Sequence, residues 1–200
     1  MQSTKAQLRA EILAARRSVT SRTRDAEAEV LASHLERFVN PGQIVCAYVP
    51  VGSEPGSLEL IDALVRRDVV VLLPVARHDT TDTPLPLRWG RYRPGELVDA
   101  AFGLREPPQP WLPAHVVADA AVVLVPALAV DRQGVRLGRG AGFFDRTLLL
   151  AGPGASLVAV VRDDELVDRL PSEPHDVPMT HALTPRQGVV ELHDRRRPHR

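Results

Sequence analysis

Between Val125 and Leu148 the chain reads VPALAVDRQGVRLGRGAGFFDRTL, in which glycines, arginines and carboxylates join an apolar run to a helix-like run. A backbone lacking Cβ atoms at Gly138, Gly140 and Gly142 turns tightly and brings its N–H groups close to an oxyanion. Arg136 and Arg139 add positive charge beside those donors. A helix starting near Gly140 would aim further N–H groups and its positive dipole end at the same place. Asp145 would be repelled by a bound phosphate unless Arg146 neutralised it or a divalent cation lay between, and magnesium is the usual ion at nucleotide sites. The segment therefore reads as a phosphate loop with a metal-ligating aspartate. Glycine and arginine spacing alone supports equally well a solvated connection whose charges pair with one another. No Gly-Lys-Ser/Thr follows and no GxGxxG fingerprint is present, which speaks against an ordinary P-loop or Rossmann site.

The surrounding pattern is one of strands alternating with helices. Ser3 can cap an expected first helix with Leu8, Ile12 and Leu13 on one face, while Lys5 and Arg9 stand four residues apart on an adjoining face, where both could reach an anion. A second helix is expected over Ser21–Phe38, ended by Asn40-Pro41-Gly42. Gln43–Val49 reads as a buried strand, followed by a turn-rich stretch holding Glu54, a helix from the Ser57 cap to Arg67, and a parallel strand over Val69–Val75. Leu85–Trp89 reads as a short strand and Arg91–Pro113 as a long connection lying across the site. Further strands are expected at Ala120–Val125 and Leu157–Val161, a helix at Gly140–Leu150, and short elements at Glu165–Leu170, Met179–Leu183 and Val189–Leu192. This is an α/β sandwich. Ligands of open α/β sheets bind outside the carboxyl ends of the strands, where Glu54, Pro126 to Arg139 and the residues after Val161 collect. Asp131 has a purely structural reading, organising its loop through backbone N–H groups, and Asp176 has one as an Asx turn before Val177-Pro178. His175 reads as a hydrogen-bonding loop residue. Trp89 and Trp111 either anchor core and loop or cover a flat ligand.

Composition bounds these readings. Two hundred residues, 44% of them apolar, suit one domain, taken as residues 1–192, with 193–200 a basic mobile tail. Lys and Arg together number 25, as do Asp and Glu, so no global charge favours nucleic acid or a membrane surface, and nothing aromatic accompanies the tail arginines. No apolar run spans a bilayer and no signal-peptide core is visible, so a cytoplasmic location is expected; the chain is separately taken to act as a monomer. Cys46, the single cysteine, lies in an apolar run and reads as a buried small residue.

The glycine-rich string resembles the signature of the 5-formyltetrahydrofolate cyclo-ligase family, P-g-l-a-F-D-x-x-G-x-R-L-G-R-G-x-G-Y-Y-D-R. Pro126, Asp131, Gly134, Arg136, Leu137, Gly138, Arg139, Gly140, Gly142, Asp145 and Arg146 match it. Lys5-Ala-Gln-Leu8-Arg9 is similar to the family's K-x-x-L-R, Gly103-Leu-Arg-Glu106-Pro107 to its G-i-x-E-P, and Glu173-Pro-His175-Asp176-Val-Pro to its E-x-x-H-D-x-P. The resemblance implies a three-layer α/β/α sandwich like that of ribose-5-phosphate isomerase and CoA transferases. It implies ATP- and magnesium-dependent cyclisation of 5-formyltetrahydrofolate to 5,10-methenyltetrahydrofolate, with Arg139 and Lys5 catalytic. It further implies ATP binding by Lys5, Arg9, Arg136, Leu137, Gly138, Arg139, Gly140, Ala141, Gly142, Phe143 and Phe144. Folate binding falls to Val49, Glu54, Arg139, Gly140, Ala141, Gly142 and Phe143, and magnesium to Asp145 and Asp176. Phe143-Phe144 stands where the family has Tyr-Tyr, which deletes two hydroxyls. Ala141 supplies no ammonium, and Pro50-Val51-Gly52-Ser53-Glu54 lacks the family's methionine. Two other readings stay open: a non-catalytic binding protein on the same scaffold, and a sugar-phosphate isomerase relative.

Overall fold

The structure, a computed structural model, describes residues 4–173 and 176–192. The tail at 193–200 and His175 lie outside the described residues. In chain order the helices are α1 (Lys5–Ser18), α2 (Ser21–Phe38), α3 (Leu58–Arg66) and α4 (Phe143–Leu148). The strands are β1 (Ile44–Cys46), β2 (Val70–Val75), β3 (Arg88–Arg91), β4 (Val98–Asp99), β5 (Arg105–Glu106), β6 (Val122–Pro126), β7 (Ala129–Asp131), β8 (Arg136–Leu137), β9 (Ser156–Val160), β10 (Leu166–Val167), β11 (His181–Thr184) and β12 (Gly188–Glu191).

Seven strands form the main sheet in the order β12-β11-β9-β6-β1-β2-β3. The five inner strands are parallel and the two edge strands antiparallel. Side chains on a strand alternate between faces, and a sheet covered on both sides is apolar on both. Val45, Val71, Leu73, Val122, Leu124, Val158 and Leu183 accordingly pack on one face with Leu31 and Leu35 of α2 and Leu60, Ile61 and Leu64 of α3. Cys46, Leu72, Val123, Val125, Ala159 and Ala182 pack on the other, with Leu148 of α4 and Val117. The expected α/β/α sandwich is present, its second helical layer made of the short α4 and a 3-10 turn at Ala114–Asp119.

A small sheet, β10-β7-β8, stands beside the main one. The strand pattern did not anticipate β7 and β8, because each is too short to show alternation. Asp131 holds their hairpin: its Oδ1 accepts from the N–H groups of Gln133 (2.8 Å) and Val135 (2.9 Å), and its Oδ2 from that of Leu170 (2.9 Å). Leu8, Ile12 and Leu13 of α1 pack on Leu128, Ala129, Leu137 and Leu170, so the amphipathic face read in the sequence docks α1 on this sheet. The helix is capped by Thr4 in a capping box with Gln7; Ser3, the expected cap, lies outside the described residues.

Cys46 is fully buried and burial pushes its thiol up to about 12, consistent with a packing role. No helix among the described residues is long and apolar enough to cross a membrane.

Candidate active site

From β1 the chain order runs outward in opposite directions, to β2 on one side and to β6, β9 and β11 on the other. The crevice at the carboxyl ends of β1 and β6 is therefore a topological switch point, where open α/β sheets bind ligands. A cleft of about 980 Å³ opens there. Tyr48, Val49 and Glu54 enter it from the end of β1, Ala76 to His78 from the end of β2, and Pro126 to Leu128 from the end of β6. Gly138 to Asp145 form one wall and Ala100, Ala101 and Leu104 another, so the long connection does lie across the site.

The glycine loop is shaped by contacts distant in sequence. Gly140 and Gly142 have φ of +98° and +81°, a region open to glycine and strained for other residues. Helix α4 therefore begins at Phe143 and not near Gly140, with Gly142 as its N-cap. At six residues it contributes little dipole, so the loop amides and arginines are the groups here that could meet an anion. Arg9 of α1 donates from Nε to the Gly138 carbonyl at 2.9 Å and lies against Gly140, so the first helix braces the loop. A Cβ on Gly138 would sit 2.7 Å from Arg136 Nη1.

Arg136 forms an ion pair with Asp145 and donates to the Pro126 carbonyl at 3.3 Å. Its side chain is only 8% exposed. Burial pushes its guanidinium below the ordinary value, against the pull of Asp145 and then of Asp176. Arg136, not Arg146, is thus the cation that neutralises Asp145; Arg146 instead donates to the Gly142 carbonyl at 3.2 Å. Asp176 does not make the expected Asx turn into Val177-Pro178, because the residue two positions on is a proline without an N–H; its carboxylate instead accepts backward from the Glu173 N–H at 2.8 Å and pairs with Lys5 Nζ at 3.3 Å. Lys5 pairs with Glu173 as well, at 3.0 Å. Asp145 pairs with Arg136 directly, whereas Asp176 acts on it only as the weaker of the two charges. Among the described residues no cluster of three metal-ligating side chains occurs. Two carboxylates completed by phosphate oxygens and water are nevertheless what magnesium ordinarily takes.

Glu54 and Arg139 meet on the cleft wall: Arg139 Nε lies 3.1 Å from Glu54 Oε1, and Glu54 Oε2 accepts from the Val51 N–H at 3.0 Å. Ala141 is exposed on the loop, and Phe143 is half-buried with its ring edge-to-face on His78 at 5.0 Å. Phe144 is half-buried beside it. Leu137 differs from the rest of the expected nucleotide set, because its side chain is buried in the small core under α1. Neither Lys5 nor Arg9 lines the cleft: Arg9 reaches the loop backbone at Gly138, and Lys5 pairs with Glu173 and Asp176.

Neither tryptophan lines the cleft. Trp89 is fully buried in the main core, and Trp111 lies under the Arg77 guanidinium, 4.2 Å from its ring centroid. Arg77 is fixed in turn by a bidentate pair with Glu106 at 3.0 and 2.7 Å, which ties the long connection to the end of β2. Sequence reading missed His78 and Arg77, and also a buried pair between Arg16 and Glu165 at the back of the cleft, bonded at 2.7 Å through two nitrogens. Arg77 and His78 directly follow a predicted strand at its carboxyl end, and that position was the available signal.

The fold and site define an α/β protein with a cationic, glycine-lined cleft at a topological switch point. A family model described as "5-formyltetrahydrofolate cyclo-ligase family" matches residues 1–185. The chain belongs to this family. It is 61% identical over 188 residues to a 5-formyltetrahydrofolate cyclo-ligase of Mycolicibacterium smegmatis, covering 94% of this chain and 97% of the relative. A 5-formyltetrahydrofolate cyclo-ligase of Escherichia coli is 32% identical over 143 residues, 70% of this chain and 77% of the relative. The NMR structure of Aquifex aeolicus 5,10-methenyltetrahydrofolate synthetase superposes with a TM-score of 0.76 at 25% identity, covering 98% of this chain and 96% of that one. A 5,10-methenyltetrahydrofolate synthetase from Mycoplasma pneumoniae, 17% identical, shares the fold with a TM-score of 0.68 over 88% of this chain and 96% of that one.

Proposed function

We propose that this chain performs the reaction of its family, cyclising 5-formyltetrahydrofolate to 5,10-methenyltetrahydrofolate with conversion of ATP to ADP and phosphate. The observation that carries this reading is the meeting of Glu54 and Arg139 in one cleft at 3.1 Å, in a chain with a 61% identical cyclo-ligase relative. In the proposed arrangement Glu54 accepts hydrogen bonds from the N–H edge of the pterin, Val49 packs on it, and the ring of Phe143 flanks it. The loop amides from Leu137 to Phe144, with Lys5, Arg9, Arg136 and Arg139, hold the triphosphate.

The γ-phosphoryl group passes to the formyl oxygen and ADP leaves. N10 then attacks the activated formyl carbon, loses its proton, and the former formyl oxygen departs on phosphate. Phosphoryl transfer needs alignment and charge neutralisation more than a protein nucleophile, and the site is rich in guanidinium groups and has no exposed thiol. Asp145 and Asp176 would hold magnesium, which supplies neutralisation of the triphosphate when bound. Residues 1–192 acting as a cytoplasmic monomer complete the reading.

The test is turnover by the purified protein: ATP- and magnesium-dependent growth of methenyl-folate absorbance on adding 5-formyltetrahydrofolate. Binding of both ligands without turnover would overturn the catalytic reading in favour of a binding protein, and sugar-phosphate isomerisation without ATP would overturn it in favour of an isomerase.

A further inference from the structure

Nothing in the residue pattern singles out Arg16, one of two adjacent arginines near the end of α1. It sits on the inward side of α1, 1% exposed, next to the exposed Arg17. Its Nε and one Nη form a fork on Glu165 at 2.7 Å each, and that same Nη donates to the Ala127 carbonyl at 2.7 Å. Glu165 is itself held by the Arg162 N–H at 2.8 Å. The other nitrogen, Nη1, has no hydrogen-bond partner among the described residues although it is buried and Arg16 forms part of the cleft wall. A buried donor left unmatched is costly, and such groups in a folded protein call for a partner that the free chain lacks.

The surroundings restrict what that partner is. The charge of Arg16 is balanced by Glu165 in a bidentate pair, so Nη1 offers a directed donor with little net attraction for a phosphate. The more solvent-accessible cation of the cleft lies elsewhere, at Arg139, whose pair with Glu54 leaves its side chain 50% exposed. Tyr48, which also lines the cleft and feels the charges of both Arg16 and Glu54, spends its hydroxyl proton on the Pro55 carbonyl at 2.9 Å and does not compete for an acceptor. We infer that Arg16 is a positioning residue for the folate, its Nη1 donating to a neutral carbonyl oxygen of the ligand head while Glu54 takes the N–H edge. This inference rests on the reading of the cleft as a folate site. Arg16 would thereby fix which way the flat ring system lies, and Glu165 would hold the guanidinium fork in that orientation.

Arg16→Lys keeps a cation beside Glu165 but removes the Nη1 donor. Its dissociation constant for 5-formyltetrahydrofolate should rise about 10- to 100-fold, as for loss of one hydrogen bond from a charged group, with affinity for a non-hydrolysable ATP analogue changed less than about twofold. A merely structural Arg16 would lower thermal stability and leave folate affinity within about twofold of wild type, which would overturn the inference. Should Arg16→Lys fail to fold, the double variant Arg16→Met, Glu165→Met removes both buried charges, a change that buried pairs often tolerate. Folate affinity must stay weak in it, and wild-type affinity would refute the proposal. Guanidinium 15N NMR of the wild-type protein needs no substitution: the Arg16 Nη signals should shift and become protected on adding 5-formyltetrahydrofolate and not on adding the ATP analogue, and the reverse response would refute the assignment. Failure of the wild type to bind or turn over the folate would sink the functional reading itself, whereas full turnover with unaltered variant affinity sinks only Arg16.

Discussion

Arg139 Nε stands 3.1 Å from Glu54 Oε1, so the residue expected to meet the nucleotide and the residue expected to meet the pterin are each other's partners in the free protein. Arg139 is half-exposed while Glu54 is 12% exposed, held also by the Val51 N–H. Such a pair is worth little to stability, since solvent screens its exposed member. Its interest is chemical. Each charge keeps the other neutralised in water, and ligands that separate them would meet two groups already aimed into one cleft.

Arg139→Ala should therefore separate activity from folding. The expected loss in kcat/KM is about 10²- to 10³-fold, the scale for removing a donor that meets developing charge. Thermal unfolding should stay within about 0.5 kcal/mol of wild type, as for an exposed pair. Steady-state kinetics beside a melting curve decides it, and near-normal turnover would remove Arg139 from the chemistry.

Asp145 is read as a magnesium ligand, yet in the free protein it balances Arg136. Asp145→Asn should raise the magnesium concentration for half-maximal activity by at least about tenfold, equivalent to about 1.4 kcal/mol of lost metal binding. It should also cost about 1 kcal/mol of stability in metal-free buffer, because the nearly buried Arg136 loses its counter-charge while Asp145 itself is 40% exposed. Magnesium titrations of rate and metal-free melts read the two effects apart, and an unchanged magnesium requirement would place the ion elsewhere.

Gly142→Ala asks for a Cβ at φ +81°, 2.6 Å from Arg146 Nη1. The left-handed backbone alone costs about 1–2 kcal/mol. The loop should relax out of that conformation, weakening nucleotide affinity more than global stability. Calorimetric binding of the ATP analogue to this variant is the check. An affinity equal to wild type would mean that the left-handed cap is dispensable for the phosphate site.

His181 gives the pH dependence. Burial lowers its imidazole below the ordinary value, with Glu191 opposing. The folded state then takes up its proton only at a lower pH than the unfolded state does, so stability attributable to this residue is intact above the ordinary histidine range and is lost as pH falls through it. The melting temperature should drop on acidification from pH ~7 towards ~5.5, and His181→Gln should flatten that part of the profile. The phenyl ring of Phe38 lies edge-on to His181 at 5.3 Å, so the variant should be slightly less stable at neutral pH as well.

Much of this molecule was legible in its residues because the relevant physics is local. Helix α2 occupies Ser21–Phe38 as its 3.6-residue spacing required, and Ser57 caps α3 through the Leu60 N–H at 3.2 Å. The apolar runs became inner strands, and the glycine-arginine string became a cleft wall. What the residues alone could not decide was pairing across long separations. Arg136 rather than Arg146 took Asp145, because β8 turns its side chain inward while Arg146 stays exposed on α4. The helix start moved to Phe143 once tertiary contacts held Gly140 and Gly142 at positive φ. Arg16 and the neighbouring Arg17 are the same residue type, and only the docking of α1 on the small sheet sends one of them to Glu165, 149 positions away, and leaves the other in solvent. Local patterning sets which elements form; which charge finds which partner depends on how those elements pack.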